Sequence, residues 1–409
     1  MSHTPTTPTT SETTLVILGA SAVQADAIHA AHRLGYRVLV TGREGGPACQ
    51  HADAVHLIDF TDLPAMRELV RTHSPAAVYS VGSDLAMPIA ARLAAECDLP
   101  IFASEDTARA CNAKPEMRER TAACPGAVAA RTVRVPQREL IDAAEGCPLP
   151  RHRDGSPDVG FPGPWIVKPA DAQGQRGIVK VERASDLAAS AKDAASFSRT
   201  GRAIIERFVG GTEVSVNGYL VDGELTFFQI SDRETWPEHT GLIRAHVVPS
   251  RYSNDPALSS AVRTTLESFC LALGLHNGPV YAQVKVERGT PYVIEVTPRL
   301  DGCHMWHLLH YACGVDLLTA SLTHLLTGKP PRFEQECTPV AHTLTFHCQE
   351  PGTPARYPAE FGQGERVRAT CRYYRSGATI RPVNGVLEKI GYTITQQDDP
   401  RPGGAEGPR

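Results

Sequence analysis

The residues best suited to chemistry lie in the run YAQVKVERGTPYVIEVTPR, from Tyr281 to Arg299. Tyr281–Val286 and Tyr292–Thr297 alternate in polarity like two strands, and Glu287–Pro291 reads as a five-residue turn centred on Gly289. If Val286 pairs with Tyr292, Gln283 stands opposite Glu295 and Tyr281 opposite Thr297. Opposed residues on one face of such a pair have Cβ atoms ~4.5–5.5 Å apart. Two oxygen donors that close can share one Mg2+, which takes carboxylate, carbonyl and water oxygens and leaves positions for phosphates. The alternatives are a polar cross-strand pair with no metal, or a one-residue slip that sends the two side chains to opposite faces. Arg299, just past the second strand, offers a planar charged fork for a transferring phosphoryl group.

A second candidate is the run WIVKPADAQGQRG, in which a strand delivers Lys168 and a loop with Gly174 and Gly177 follows. Such a loop can turn backbone N–H groups toward phosphate oxygens while the lysine supplies a point charge. The spacing is not that of a P-loop, and a solvated lysine beside a surface turn fits these residues equally well. Further on, AIIERFVGGTEVSVNGY places Glu206 and Phe208 before a Gly-Gly break and Glu213 at the start of the next strand. Glu213, Ser215 and Asn217 then share one face, opposite Val214 and Val216, and Asp222-Gly223 reads as a two-residue hairpin turn. Glu213 could accept hydrogen bonds from a ribose or be a solvated edge carboxylate. His304, His307 and His310 recur every three residues, but no carboxylate completes a metal set, so packing or substrate contact is the better reading.

These groups need elements to hold them. The first hundred residues repeat a strand–helix unit: Leu15–Leu18, a helix Gln24–Leu34 closed by Gly35, then Arg37–Val40. Val55–Ile58, a helix through Met66 and Val70, Ala77–Ser80, a helix Leu85–Ala95 and a strand Leu99–Phe102 follow. The succession predicts a parallel sheet with helices on both faces. The turn LGASAVQ is not GxGxxG and reads as strand-to-helix turn chemistry. Ser83 and Asp84 follow a strand, where open α/β sheets receive ligands, and are candidate substrate contacts. After Lys114 the pattern changes to a helix near Pro115–Thr121 and a Pro/Gly/Arg-rich segment from Pro136 to Pro164 containing a helix Arg138–Ala144. Strands and hairpins dominate from Trp165, with a helix Ala257–Ala272, and a smaller region of strands and turns follows Pro330.

Composition narrows the function classes. The chain has 409 residues, enough for two to four domains. Lys+Arg 41 against Asp+Glu 45 gives a formal charge of −4, which argues against a nucleic-acid protein. No apolar run reaches the ~18–20 residues that span a bilayer. Met1–Thr14 is Thr/Pro-rich, lacks a signal-peptide plan, and reads as a disordered tail. Eleven cysteines without a CxxC pair fit reduced thiols in a cytoplasmic enzyme.

In their order and spacing these segments resemble the ATP-grasp superfamily, from Leu15 to about Asp399. The resemblance implies an α/β and α+β fold: a disordered tail 1–14, a preATP-grasp parallel α/β domain 15–112, a lid lobe 113–208, a catalytic lobe 209–330, and a small β-rich C-terminal subdomain and tail 331–409. Asp98-Leu-Pro ahead of Ala113-Lys114 is similar to the end of the preATP-grasp domain. Lys114 matches the first family lysine and Lys168 the second, both on nucleotide phosphate. Asp171–Gly177, with Gln173, Gly174 and Gly177, matches the phosphate-covering loop. Glu206 and Phe208 match the adenine hinge, and Glu213 the ribose-binding acid. Glu295 matches the main Mg2+ carboxylate, and Arg299 the arginine beside the acyl phosphate. Gln283 stands where most members carry an acidic ligand, although carbamoyl-phosphate synthetase-like members use glutamine. Thr297 replaces the usual asparagine. In IEVTPRLDGCH, Gly302 and His304 fall in the substrate loop, with Ser83 a further substrate contact.

Within the superfamily the resemblance is nearest to carboxylate–amine ligases that join amino acids, whose small closing domain is similar to Tyr373–Ile380 and Lys389–Ile394. It implies ATP with Mg2+, or Mn2+ in its place, an acyl phosphate attacked by an amine, and a homodimer. The segment Arg151–Phe161 suggests specialised biosynthesis. An ATP-dependent carboxylase forming carboxyphosphate shares the fold. A non-catalytic nucleotide-binding module is the third reading, resting on Gln283 and Thr297.

Overall fold

The computed structural model describes residues 13–134, 149, 153, 157–172, 177–333, 339–383 and 386–398. The helix expected at 138–144, most of both terminal tails, and Gln173 and Gly174 lie outside them. By internal packing the chain divides into two units, Met1–Glu105 with Leu318–Pro331, and Asp106–Leu317 with Arg332–Arg409. Among the described residues no helix is long and apolar enough to cross a membrane, and the described cysteines are free thiols.

The first unit follows the repeated strand–helix pattern. Strands β1 (Thr14–Leu18), β2 (Arg37–Thr41), β3 (Ala54–His56) and β4 (Ala77–Tyr79) pair in parallel in the order β3-β2-β1-β4. Helices α1 (Ala22–Arg33), α2 (Leu63–His73) and α3 (Ala86–Glu96) connect them. Leu15–Leu18 is buried throughout, as a strand covered on both faces must be. Local chemistry starts the helices: the Gln24 side chain reaches back to the Ser21 N–H at 2.9 Å, and Asp62 accepts from the Ala65 N–H. Two expectations need correction. Thr14 belongs to β1 and pairs with Arg37, so the terminal tail ends before it. Leu99–Phe102 forms no strand, because Pro100 in its middle has no N–H to give a ladder and β4 stays the sheet edge.

In the second unit, α4 (Glu105–Asn112, begun in the first), unanticipated from sequence, leads to α5 (Lys114–Arg120). Strands β5 (Ala130–Arg134), β6 (Trp165–Pro169), β7 (Val179–Val181) and, after α6 (Leu187–Ser196), β8 (Arg202–Arg207) make an antiparallel sheet ordered β5-β8-β6-β7. Val167, Ile205, Leu187 and Ala191 share its core with α6. The larger sheet takes β9 (Thr212–Val221), β10 (Glu224–Trp236), β11 (His239–Val248) and, after α7 (Pro256–Leu273), β12 (Gly278–Glu287) and β13 (Thr290–Thr297). Beyond α8 (Met305–Cys313) and α9 (Leu317–Thr327) come β14 (His342–Gln349), β15 (Val367–Arg372) and β16 (Glu388–Gln396). These last strands make no sheet of their own. They extend the larger one to eight strands, ordered β13-β12-β9-β10-β11-β14-β16-β15.

Two-residue turns join β9 to β10 at Asp222-Gly223 and β12 to β13 at Arg288-Gly289, with φ of 53° and 89°, and 50° and 77°. Both central residues left-handed is the geometry whose twist suits a tight hairpin. The turn at Arg288-Gly289 corrects the five-residue turn, and Val286 pairs with Pro291, not Tyr292. Yet Gln283 does face Glu295, and Tyr281 faces Thr297, because a β-bulge after Gln283 shifts the ladder by the same one residue. α7 packs against β10 and β13, and its Leu266, Phe269 and Leu273 are buried with Val214, Val216, Ala282 and Val296.

Gly211, at the entry to β9, shows how tightly this hairpin region is built. Its φ is +76°, and a Cβ there would lie 2.0 Å from the Val286 carbonyl oxygen. Gly211→Ala should therefore cost more than about 1 kcal/mol, read as a lower denaturant midpoint. A variant as stable as the parent would contradict this close approach.

Candidate active site

One face of the larger sheet is polar across four neighbouring strands. Glu295 faces Gln283, which faces Ser215, which faces Ser231. Beside that row, Thr297, Tyr281, Asn217 and Gln229 are likewise opposed in succession. On its other side Tyr292 faces Lys285 and Lys285 faces Glu213, while Arg233 faces His246 on β11. Period-2 alternation explains how the strands that bury the core also carry these groups.

Carboxylate, amide and hydroxyl oxygens gather at the β12–β13 end of this face. Thr297 is buried, and its Oγ1 has no hydrogen-bond partner among the described residues. A buried hydroxyl without a partner is costly, and the donor set is all oxygen, so Glu295, Gln283 and Thr297 fit a hard divalent cation such as Mg2+.

Lys168 at the end of β6 is not the solvated lysine that its sequence also allowed. Its Nζ lies 2.7 Å from Oε2 of Glu206 on β8, and Nε of Arg118 on α5 lies 2.8 Å from Oε1. Glu206 is 1% exposed. Burial alone would push its pKa up, but Arg118 and Lys168 outweigh burial and hold it down at about 2. Arg118 also donates to the carbonyls of Val293 and Ile294, at 3.2 and 2.8 Å, where the bulge in β13 frees the ladder. One guanidinium therefore joins Lys168 and Glu206 to the strand that carries Glu295.

The other expected residues fall as follows. The Lys114 Nζ donates to the Ala172 carbonyl at 3.1 Å, beside the loop after β6. Gly177 has φ +69°, and a Cβ there would meet the Phe197 ring at 2.5 Å. The Phe208 ring centroid lies 4.6 Å from the Lys180 ammonium and 5.3 Å from that of Lys285. Glu213 Oε1 is 3.3 Å from Arg233 Nη1, so its carboxylate is tied to a neighbour strand. Arg299 is buried, with its Cζ 5.8 Å from the Tyr281 ring centroid. Gly302 and His304 follow on the same loop, and the buried His304 ring lies 4.7 Å from that of Tyr392. Ser83 belongs to the first unit, where its hydroxyl accepts from the Ala86 N–H at 3.4 Å. Among the described residues the three spaced histidines form no metal-ligating group.

Several groups of this face were not singled out by sequence reasoning. Arg118, Arg233 and Lys285 carry no local motif; ladder pairings place Arg233 and Lys285, and Arg118 reaches β8 and β13 from α5 through its guanidinium. Lys285 had one available signal, since it shares the period-2 face of Gln283. Burial lowers its pKa, an effect that Glu213 opposes and Lys168 reinforces.

Residues 161–306 match the family model described as ATP-grasp domain. The chain is 24% identical over 257 residues to dapdiamide A synthase of Enterobacter agglomerans, covering 58% of each chain. It thus spans little more than half of that relative's length. An L-amino acid ligase from Bacillus licheniformis superposes with a TM-score of 0.72 at 18% identity, over 96% of this chain and 95% of that one. A phosphoribosylglycinamide synthetase from Anaerococcus prevotii gives 0.72 at 19% identity, over 95% of each chain. At such identities the two structures establish the fold.

The buried triad makes a prediction about acid. Because the folded pKa of Glu206 is about 2 against an ordinary 4.5, its ionisation stabilises the fold above pH 4.5, and that contribution is lost as pH falls toward 2. Glu206→Gln should cost about 3–5 kcal/mol near neutral pH, since it strands two buried cations. Between pH 4.5 and 2 the gap from the parent should narrow. Denaturant midpoints across pH check this, and a gap independent of pH would refute it.

Proposed function

We propose that this chain, which carries an ATP-grasp domain, is an ATP-dependent carboxylate–amine ligase that forms an amide through an acyl phosphate and releases ADP and phosphate. The observation that carries the reading is the ion network that links Lys168 to the strand bearing Glu295, opposite Gln283. Phosphoryl transfer leaves a protein little covalent work, so positioned charge is what the reaction asks of it.

On this reading Lys114 and Lys168 contact the phosphates of ATP, with Gln173, Gly174 and Gly177 on the covering loop. Glu206 and Phe208 lie at the adenine hinge, although both Glu206 oxygens already carry a cation. Its carboxylate then acts by fixing Lys168, and contact with the base falls to neighbouring groups. Glu213 accepts from the ribose. Mg2+ bound by Glu295, Gln283 and Thr297 would neutralise charge on the phosphoryl group. Arg299 steadies the acyl phosphate with its planar fork, and Gly302 and His304 contact substrate. The names of the similar proteins, a dapdiamide synthase and an L-amino acid ligase, support an amino-acid substrate in specialised biosynthesis.

ADP release measured over the proteinogenic amino acids and small aliphatic acids, with hydroxylamine to trap an acyl phosphate as hydroxamate, tests the reading. Release that needs bicarbonate and no other acid would replace it with a carboxylase. ATP binding without any release would leave a non-catalytic module.

Two variants probe the roles. Lys168→Ala should lower turnover at least ~100-fold and also reduce stability, because Glu206 keeps only Arg118; full turnover in the folded variant would remove Lys168 from the site. Glu295→Gln should raise the Mg2+ concentration for half-maximal ADP release by about 10–100-fold. An unchanged titration would mean that Glu295 holds no metal.

A further inference from the structure

The segment that joins β8 to β9, Phe208 to Gly211, is held from one side by β12. Glu287, at the end of that strand, accepts from the Gly210 N–H on Oε1 at 2.6 Å and from Arg207 Nη1 on Oε2 at 2.8 Å. Two places back, Lys285 Nζ donates to the Val209 carbonyl at 3.2 Å. There is no slack in the fit, since a Cβ on Gly210 would stand 3.2 Å from Glu287 Oε1. The Phe208 N–H is engaged as well, by the Pro164 carbonyl at 2.9 Å. Val209 is buried, and its own N–H, between these two spent donors, has no hydrogen-bond partner among the described residues.

The two bonds of Glu287 differ in weight. Its ion pair with Arg207 is open to water, with the side chains 27% and 26% exposed, and such pairs contribute little. Arg207 has a second anchor besides, in the Tyr292 ring on β13, 4.7 Å from its Cζ. The Gly210 bond is short and charge-assisted, and it fixes main chain where the other fixes only a side chain. Burial raises the Glu287 pKa, but the Gly210 N–H, Arg207 and Arg288 outweigh burial and hold the carboxyl below its ordinary range, so it is ionised near neutral pH.

Alternation puts Gln283, Lys285 and Glu287 on one face of β12. Four residues of strand span about 13 Å, so one strand sets the hinge at one end and the proposed metal ligand Gln283 at the other. We propose that Glu287 is a positioning residue for the nucleotide base. It touches no substrate. By fixing the Gly210 main chain it presents the hinge, with the unspent Val209 N–H, to the base at a set distance from the metal ligands, and this lets the site tell a 6-amino purine from a 6-oxo purine.

The role rests on the adenine-hinge reading above, and binding measurements keep the two apart. Equilibrium binding of ATP and of ITP is measured with excess Mg2+ and no other substrate. ITP carries the same ribose and triphosphate, with an oxo group in place of the 6-amino group. The parent should bind ATP at least ~10-fold more tightly than ITP. In Glu287→Ala the ratio should fall below ~3 through weaker ATP binding, with ITP changed less than ~2-fold. Glu287→Gln keeps an amide oxygen for the Gly210 N–H and should hold the ratio within ~2-fold of the parent's. Glu287→Asp keeps the charge but is one methylene too short to reach Gly210, and should lose the ratio as Glu287→Ala does. This pair decides the matter even where Glu287→Ala fails to fold. A merely structural role would weaken both nucleotides alike, so equal losses would overturn the proposal. So would a ratio kept in Glu287→Asp and lost in Glu287→Gln, or a parent that does not distinguish ATP from ITP. A parent that binds neither nucleotide would instead sink the nucleotide reading itself.

Discussion

Much of the second unit is arranged around one buried carboxylate. Glu206 accepts from Lys168 and Arg118 at once, and the three groups are nearly free of solvent. Removing charges from water costs several kcal/mol per ion, so the arrangement survives only because each charge has partners. Arg118 is suited to the middle position, since its planar fork serves the carboxylate and two backbone carbonyls together. A lysine has one compact ammonium and could not reach all three in fixed directions. The same contact that neutralises Glu206 thus sets β6, β8 and β13 against one another.

The larger sheet solves a second problem with the same residues that make its core. Alternation sends Val214, Val216, Ala282 and Val296 toward α7, and every residue between them toward the polar face. Such a face has too many polar groups to satisfy internally: Thr297 Oγ1 and Asn217 Nδ2 lie buried without partners among the described residues. Their cost is borne by a well-packed sheet, and they cluster where a ligand with many oxygens would use them. The late strands β14–β16 contribute Lys389 to this neighbourhood, so the end of the chain completes a face begun near residue 212.

Much of this was legible in sequence where the signal was local. Alternation in Tyr281–Thr297 and the pairing of Gln283 with Glu295 were readable because period 2 and a nearby glycine fix a hairpin. The pairing came out right through two compensating differences, a shorter turn and a bulge, and a bulge leaves no mark that spacing alone can show. Leu99–Phe102 looked like a strand by hydropathy, but Pro100 denies it a ladder. Arg118, Arg233 and Lys389 were beyond reach for another reason. Each acts on a residue far away in the chain, such as Arg118 on Glu206, 88 positions on.

The charge balance explains how the site can do with neutral groups where a carboxylate would be expected. Gln283 and Thr297 leave Glu295 as the one anion of the proposed metal set. Lys285 lies on the same sheet face, Arg299 just past β13, and Lys168 on β6, and Lys168 and Arg299 are buried. A triphosphate brings its own negative charge to such a face, so further carboxylates would repel the ligand they help to hold. On the proposed reading, attraction of phosphate would shift from metal to side chains.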